Sequence, residues 1–126
     1  MELTDLQKKT LQTFALYCES QNSKKVSLTF FISDCDLDSP GRYFYDEDGG
    51  SRMDGYPKIL NLLNELANKI KDKAIDAMEE CENYGKLKFL IDCDEKDLTV
   101  QVYENVRTST EDGRVKKYQA MFISEI

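Results

Sequence analysis

Histidine and tryptophan are missing from the 126 residues, and proline occurs only twice. Without histidine there is no imidazole base, no histidine metal ligand and no Ser/His or Cys/His nucleophile pair, so most common hydrolase chemistries are excluded. The four cysteines, Cys18, Cys35, Cys81 and Cys93, stand far apart, with no C-x-x-C pair and no zinc-ribbon spacing. Long hydrophobic runs are also missing. Nothing approaches the roughly 20 apolar residues of a membrane span, and the opening MELTDLQKK lacks the apolar stretch of a signal peptide. These absences lead us to expect a soluble, cytoplasmic protein with reduced thiols. Cys18 and Cys81 are expected on apolar helix stripes as small buried hydrophobes. Cys35 and Cys93 are expected at strand ends among acids, which raise a thiol pKa.

Positive charge is in deficit. Lys and Arg number 17 against 24 Asp and Glu, a net charge of −7, which argues against a nucleic-acid or anionic-lipid surface and for a basic protein partner. Hydrophobic residues make up 40% of the chain, enough for one core in one domain spanning residues 1–126.

Periodicity divides the chain into elements. Thr4 with Gln7 has the spacing of a capping box, and Leu6, Phe14 and Tyr17, with Leu3 and Leu11 nearby, form a loose helical stripe running to Asn22. From Lys25 the period becomes two: Val26, Leu28, Phe30 and Ile32 share one strand face, and Ser27, Thr29, Phe31 and Ser33 the other. The run Arg42 to Tyr45 reads as the second strand of a hairpin, followed by the loop DEDGGSRMDG. Pro57 opens a long helical pattern through Ile59, Leu63, Leu66, Ile70, Ala74 and Cys81 that is expected to stop at Gly85. Three strands follow, carrying Leu87, Phe89 and Ile91, then Leu98, Val100 and Val102, then Tyr118, Ala120 and Phe122, with a turn at Glu111-Asp112-Gly113. The expected fold class is α+β: an antiparallel sheet of about five strands with two helices packed on one face, in the order α-β-β-α-β-β-β. Phe31, Leu90, Tyr103 and Met121 then point away from the helices, together with either Phe44 or the pair Tyr43 and Tyr45. FISDCD (Phe31 to Asp36) and FLIDCD (Phe89 to Asp94) echo each other. Either an α-β-β unit is duplicated, or strand ends have collected Asp by chance.

Negative charge is localised. Asp34, Asp36, Asp38, Asp46, Glu47, Asp48 and Asp54 face only Arg42 and Arg52 within residues 33–55, and Asp92, Asp94, Glu95 and Asp97 face only Lys96. Were the strands carrying FISDCD and FLIDCD parallel neighbours, both groups would lie on one rim. D-x-D-x-D (Asp34, Asp36, Asp38) alternates like a cation loop, but a twelve-residue frame from Asp34 puts Ser39 in the glycine slot, and one from Asp36 puts Pro40 at a ligand position. No metal or cofactor is expected on that basis. A second reading makes the acids an electrostatic docking surface for a cationic partner, centred on Tyr43 and Tyr45. A third assigns them to solubility alone.

The layout resembles the YezG-like family of small bacterial antitoxin or immunity proteins. The resemblance rests on an amino-terminal helix, then KKVSLTFFIS, RYFYDEDGG, the long helix PKILNLLNELANKIKDKA and the closing KLKFLIDCDEKDLTVQVYENV. It implies a non-enzymatic cytoplasmic protein that binds and neutralises a cognate toxin, commonly a basic nuclease domain. It carries over no residue roles. The candidate partner-binding residues are therefore chosen on charge and aromaticity: Asp34, Asp36, Asp38, Tyr43, Tyr45, Asp46, Glu47, Asp48, Asp92, Asp94 and Glu95. Direct nucleic-acid and membrane contacts are not expected, and the protein is a monomer or a homodimer. The alternatives are a chaperone for a secreted effector, or a divalent-dependent enzyme using Asp34, Asp36, Asp92 and Asp94.

Overall fold

A computed structural model of the chain describes residues 2–38, 43–47, 52–54, 57–106, 114–117 and 122–125. Helix α1 (Asp5–Ser20) leads into β1 (Lys25–Ser33), β2 (Asp36–Leu37), β3 (Tyr43–Asp46) and β4 (Arg52–Asp54). Helix α2 (Pro57–Asp76) is followed by β5 (Tyr84–Asp92), β6 (Asp97–Val106), β7 (Arg114–Lys117) and β8 (Phe122–Glu125). This is the expected α+β order, with short β2 and β4 added and the closing segment divided into β7 and β8. Strand β4 lies within the stretch expected as a loop. Tyr118, Ala120, Met121 and the expected turn at 111–113 lie outside the described residues.

Among the described residues every strand pairing is antiparallel. The sheet runs β4-β3-β1-β5-β6-β7, with β2 also on β1 and β8 also on β6. Outward from the central β1/β5 pair, each half therefore lays down a hairpin and then a further strand, and each half is preceded by its own helix. The alternation of apolar residues sets the faces as expected. Val26, Leu28, Phe30 and Ile32, Leu87, Phe89 and Ile91, and Leu98, Val100 and Val102 are buried with Leu11, Phe14, Ala15 and Cys18 of α1 and Ile59, Leu63, Leu66, Ala67, Ile70 and Ala74 of α2. Phe30 meets Phe89 at the centre, with ring centroids 5.5 Å apart, and Phe14 packs on Phe44 at 4.7 Å. Phe44 thus belongs to the core, which leaves Tyr45 on the outer face.

Three expectations about the helices change. The Thr4/Gln7 capping box forms, with Thr4 N donating to Gln7 Oε1 and Gln7 N to Thr4 Oγ1. The α1 core stripe, however, is Leu11, Phe14, Ala15 and Cys18, while Leu6 and Tyr17 face solvent. Helix α2 ends at Asp76, so Cys81 is in the connection to β5 and Gly85 lies inside β5 rather than at a helix stop. The reason lies across the sheet. Glu104 projects from β6 into the interior and is fully buried; its carboxylate accepts hydrogen bonds from the amides of Glu79 (2.9 Å) and Glu80 (3.3 Å) and from Asn83 Nδ2 (3.0 Å). Those amides are thereby satisfied outside a helix. Met78 folds onto Gly85, where a Cβ would stand 2.8 Å from Met78 Sδ and 3.2 Å from the Tyr103 carbonyl. Glycine is needed there for close approach.

Candidate functional site

Antiparallel pairing of β1 with β5 decides where the acids go. Lys25 faces Asp92 and Ile32 faces Gly85, so the turn after β1 and the turn after β5 lie at opposite ends of the sheet. They are separated by about 26 Å at ~3.3 Å per residue. The single acidic rim that parallel neighbours would have made does not exist. Asp34, Asp36 and Asp38 occupy one end. Asp92, Asp94 and Glu95 occupy the other, joined there by Asp46 and Glu47, because Asp46 pairs with Val26 and the Glu47 amide donates to the Lys25 carbonyl. Asp34 and Asp36 therefore cannot share a divalent site with Asp92 and Asp94.

The two ends differ in character. At the first, Asp34, Asp36 and Asp38 are exposed. Asp38 accepts from Ser33 Oγ at 2.7 Å, Asp36 accepts from the Leu37 amide, and Lys71 of α2 lies 3.7 Å from Asp36. At the second, several acids are already engaged. Asp92 Oδ1 accepts from the amides of Asp94 and Glu95, shaping the β5–β6 turn, and Asp46 accepts from Ser23 Oγ. Glu47 reaches over the outer sheet face to Lys88 Nζ at 2.7 Å and to Ser27 Oγ. Burial pushes the Glu47 carboxyl up, but the hydrogen bonds from Lys88 and Ser27 outweigh it and hold the group below its usual range. The side chain of Tyr43 and all of Asp48 lie outside the described residues. Tyr45 is exposed on the outer face beside Ser27.

What the charge pattern did not reveal is a groove. The outer face of the central strands forms an open depression of about 680 Å³. Its lining includes Phe31, Asp38, Tyr84, Lys86, Lys88 and Tyr103. The register brings Phe31, Lys86 and Tyr103 side by side across β1, β5 and β6. Lys86 Nζ sits 5.9 Å from the Phe31 ring centroid, and the Tyr103 hydroxyl donates to Gln101. Phe31 is 48% and Tyr84 59% exposed, large apolar surface on a sheet face that neither α1 nor α2 covers. The expectation that Phe31, Leu90 and Tyr103 face away from the helices was the signal for this groove. Tyr84, at the first position of β5, precedes Leu87, where the alternating pattern begins, so that pattern assigns it no face. Asp38 joins the groove to the first acidic end.

Two of the four cysteines do not stay reduced. Cys35 and Cys81 form a disulfide at the first end, and the Cys35 amide donates to the Cys81 carbonyl at 3.1 Å. Among the described residues one group of three potential metal-ligand atoms falls within 4.8 Å, that of Cys35, Cys81 and Glu82. Its two sulfurs are bonded to each other, so it offers no thiolate. Cys18 and Cys93 are free and fully buried at the second end. Their thiols hydrogen-bond to each other, which pushes Cys18 up, with burial adding to the effect, and pulls Cys93 down, with Lys96 helping. Asp92 and Asp94 do push Cys93 upward as the sequence suggested, but they are outweighed. No helix among the described residues is long and apolar enough to cross a membrane. Comparison with protein-family models, curated proteins and solved structures returned no match.

Proposed function

We propose that this protein is a non-enzymatic inhibitor of the immunity type, which binds a cognate toxin domain through the outer groove and the acidic end beside it. One observation carries the reading: the apolar groove around Phe31 and Tyr84 includes Asp38, from the same exposed turn that carries Asp34 and Asp36. The groove itself carries Lys86 and Lys88, so the basic partner is drawn by the acids at its end, with the apolar surface supplying affinity and those acids supplying steering. At the opposite end Asp92, Asp46 and Glu47 are committed to turn shaping and to Ser23 and Lys88, and Asp94 and Glu95 are exposed but stand at the far end of β5 from Tyr84, so these acids take a smaller part than the sequence suggested.

Affinity capture from source cells, followed by a salt series, tests this. A stoichiometric basic toxin domain, with an association rate that falls as salt rises, is the expected result. Phe31→Ser with Tyr84→Ser should slow growth protection and raise the dissociation rate. Asp34→Asn with Asp36→Asn and Asp38→Asn should lower mainly the association rate, while Asp94→Asn with Glu95→Gln should change little. Binding unaffected by both of the first two sets would sink the proposal.

The groove also favours a second reading, a chaperone for a secreted effector, because an exposed sheet face of this kind accepts an extended apolar segment. Capture of a long effector through an unfolded segment would select it. The cytoplasmic address belongs to the first reading and is set against the Cys35–Cys81 bridge, since disulfides persist in oxidising compartments and are rare in the cytosol. Thiol trapping in rapidly quenched cells decides: free Cys35 and Cys81 place the protein in the cytoplasm, and an intact bridge places it in an oxidising compartment.

A further inference from the structure

The two cysteine pairs occupy equivalent places in the two halves of the fold. Cys35 follows β1, the first strand of the first half, and is bonded to Cys81, which follows the helix of the second half. Cys93 follows β5, the first strand of the second half, and its thiol contacts that of Cys18, in the last turn of the helix of the first half. The main chain repeats the relation. The Cys35 amide donates into the α2–β5 connection, at Cys81, and the Cys93 amide donates into the α1–β1 connection, at the Lys24 carbonyl (2.7 Å). That connection is tied back to Cys18, whose carbonyl accepts from the Ser23 amide at 3.0 Å. Lys96 Nζ reaches Glu19, next to Cys18, at 2.6 Å and holds the β5–β6 turn against the end of α1. The FISDCD and FLIDCD echo thus places one cysteine at each end of the central strand pair, and each meets a cysteine from the other half.

We infer that Cys18 and Cys93 are a second disulfide site, so that the fully oxidised protein carries the bridges Cys35–Cys81 and Cys18–Cys93, one at each end of the β1/β5 seam. Four cysteines allow three connectivities, and the contacts select this one. The oxidant is a small-molecule disulfide such as oxidised glutathione. The Cys93 thiolate attacks one of its sulfurs and expels one glutathione thiolate. The Cys18 thiol, losing its proton to solvent, then attacks Cys93 Sγ and expels the second. Two protein thiols are oxidised to one disulfide, and one oxidant disulfide is reduced to two thiols. Cys93 attacks first, because the hydrogen bond from Cys18 and the charge of Lys96 favour its thiolate against burial, Asp92 and Asp94; both sulfurs are buried, so the exchange occurs when the β5–β6 turn opens from the end of α1.

The test counts thiols in the full chain. The protein is brought to equilibrium in glutathione buffers from fully reducing to fully oxidising, quenched in acid, denatured, alkylated with a maleimide and weighed by mass spectrometry. The expected series is four adducts, then two, then none, with cross-linked peptides joining Cys18 to Cys93 and Cys35 to Cys81. Cys18→Ser should end at the oxidising limit with Cys93 carrying one glutathione and joined to no other cysteine. The combined Cys35→Ser and Cys81→Ser variant should still lose both of its thiols. The species with no thiols should unfold at a higher urea concentration than the species with two. The proposal is overturned if the folded wild type keeps two adducts on Cys18 and Cys93 at the oxidising limit, if either cysteine pairs with Cys35 or Cys81, or if each carries only glutathione.

Discussion

Asp97 stands directly across from Asp92 in the β5/β6 register, and like charges facing each other across strands are destabilising. Burial, then Asp92, pushes the Asp97 carboxyl above its usual range, with Lys25 opposing. A carboxyl raised in the fold is penalised while ionised, so its penalty is relieved as pH falls through the folded value. Asp97→Asn should therefore stabilise the protein by about 0.5 kcal/mol at neutral pH, and the gain should vanish near pH 3 in thermal melts. Glu47 behaves in the opposite sense. Its depressed pKa contributes stability that is present above the unfolded value of about 4.3 and lost as pH falls through the folded value. Lys88→Met should flatten that acid decline, and melts of wild type and variant between pH 7 and pH 3 check it. Neither Lys88 nor Asp97 stands out in the sequence as anything but one charge among many.

At the scale of elements, patterns of period two and 3.6 located the strands and helices, because burial of one face is a local constraint. The end of α2 was not local. A helical pattern continuing to Cys81 gives way after Asp76, because the buried Glu104 carboxylate accepts the amides of Glu79 and Glu80. Removing that acceptor takes three part-buried hydrogen bonds from the Glu79 and Glu80 amides and Asn83 Nδ2. Glu104→Ala should cost about 2–4 kcal/mol in urea unfolding, while Glu104→Gln, which keeps one acceptor oxygen but turns a donor group toward the same amides, should cost less. Hydrogen exchange of the Glu79 and Glu80 amides should accelerate in both variants.

For the whole molecule, the β1/β5 pairing is the decisive contact. It joins two halves that each consist of a helix and its strands, and the Cys35–Cys81 bridge closes a 46-residue separation across them. Cross-linking of that length stabilises by about 3–4 kcal/mol in the chain-entropy account. Cys35→Ser with Cys81→Ser should lower the unfolding free energy by that order under non-reducing conditions, and adding reductant should bring wild type down to the level of the variant. The groove is also a product of this scale, since Phe31, Lys86 and Tyr103 come from three strands that are distant in sequence.

The sequence by itself determined the α+β class, the two helices, the core faces of the principal strands and the presence of acidic turns, because each follows from composition or from alternation along a few residues. It also contained the FISDCD and FLIDCD echo without saying what it was for. The antiparallel sheet was expected as well, but only the tertiary structure decided that β1 and β5 are neighbours in it. Antiparallel register sends the two acidic turns to opposite ends, brings each cysteine beside one from the other half, and leaves one face of the sheet open as a groove. A strand's own residues fix which side is buried, but its neighbour and its direction are fixed by packing summed over the whole core.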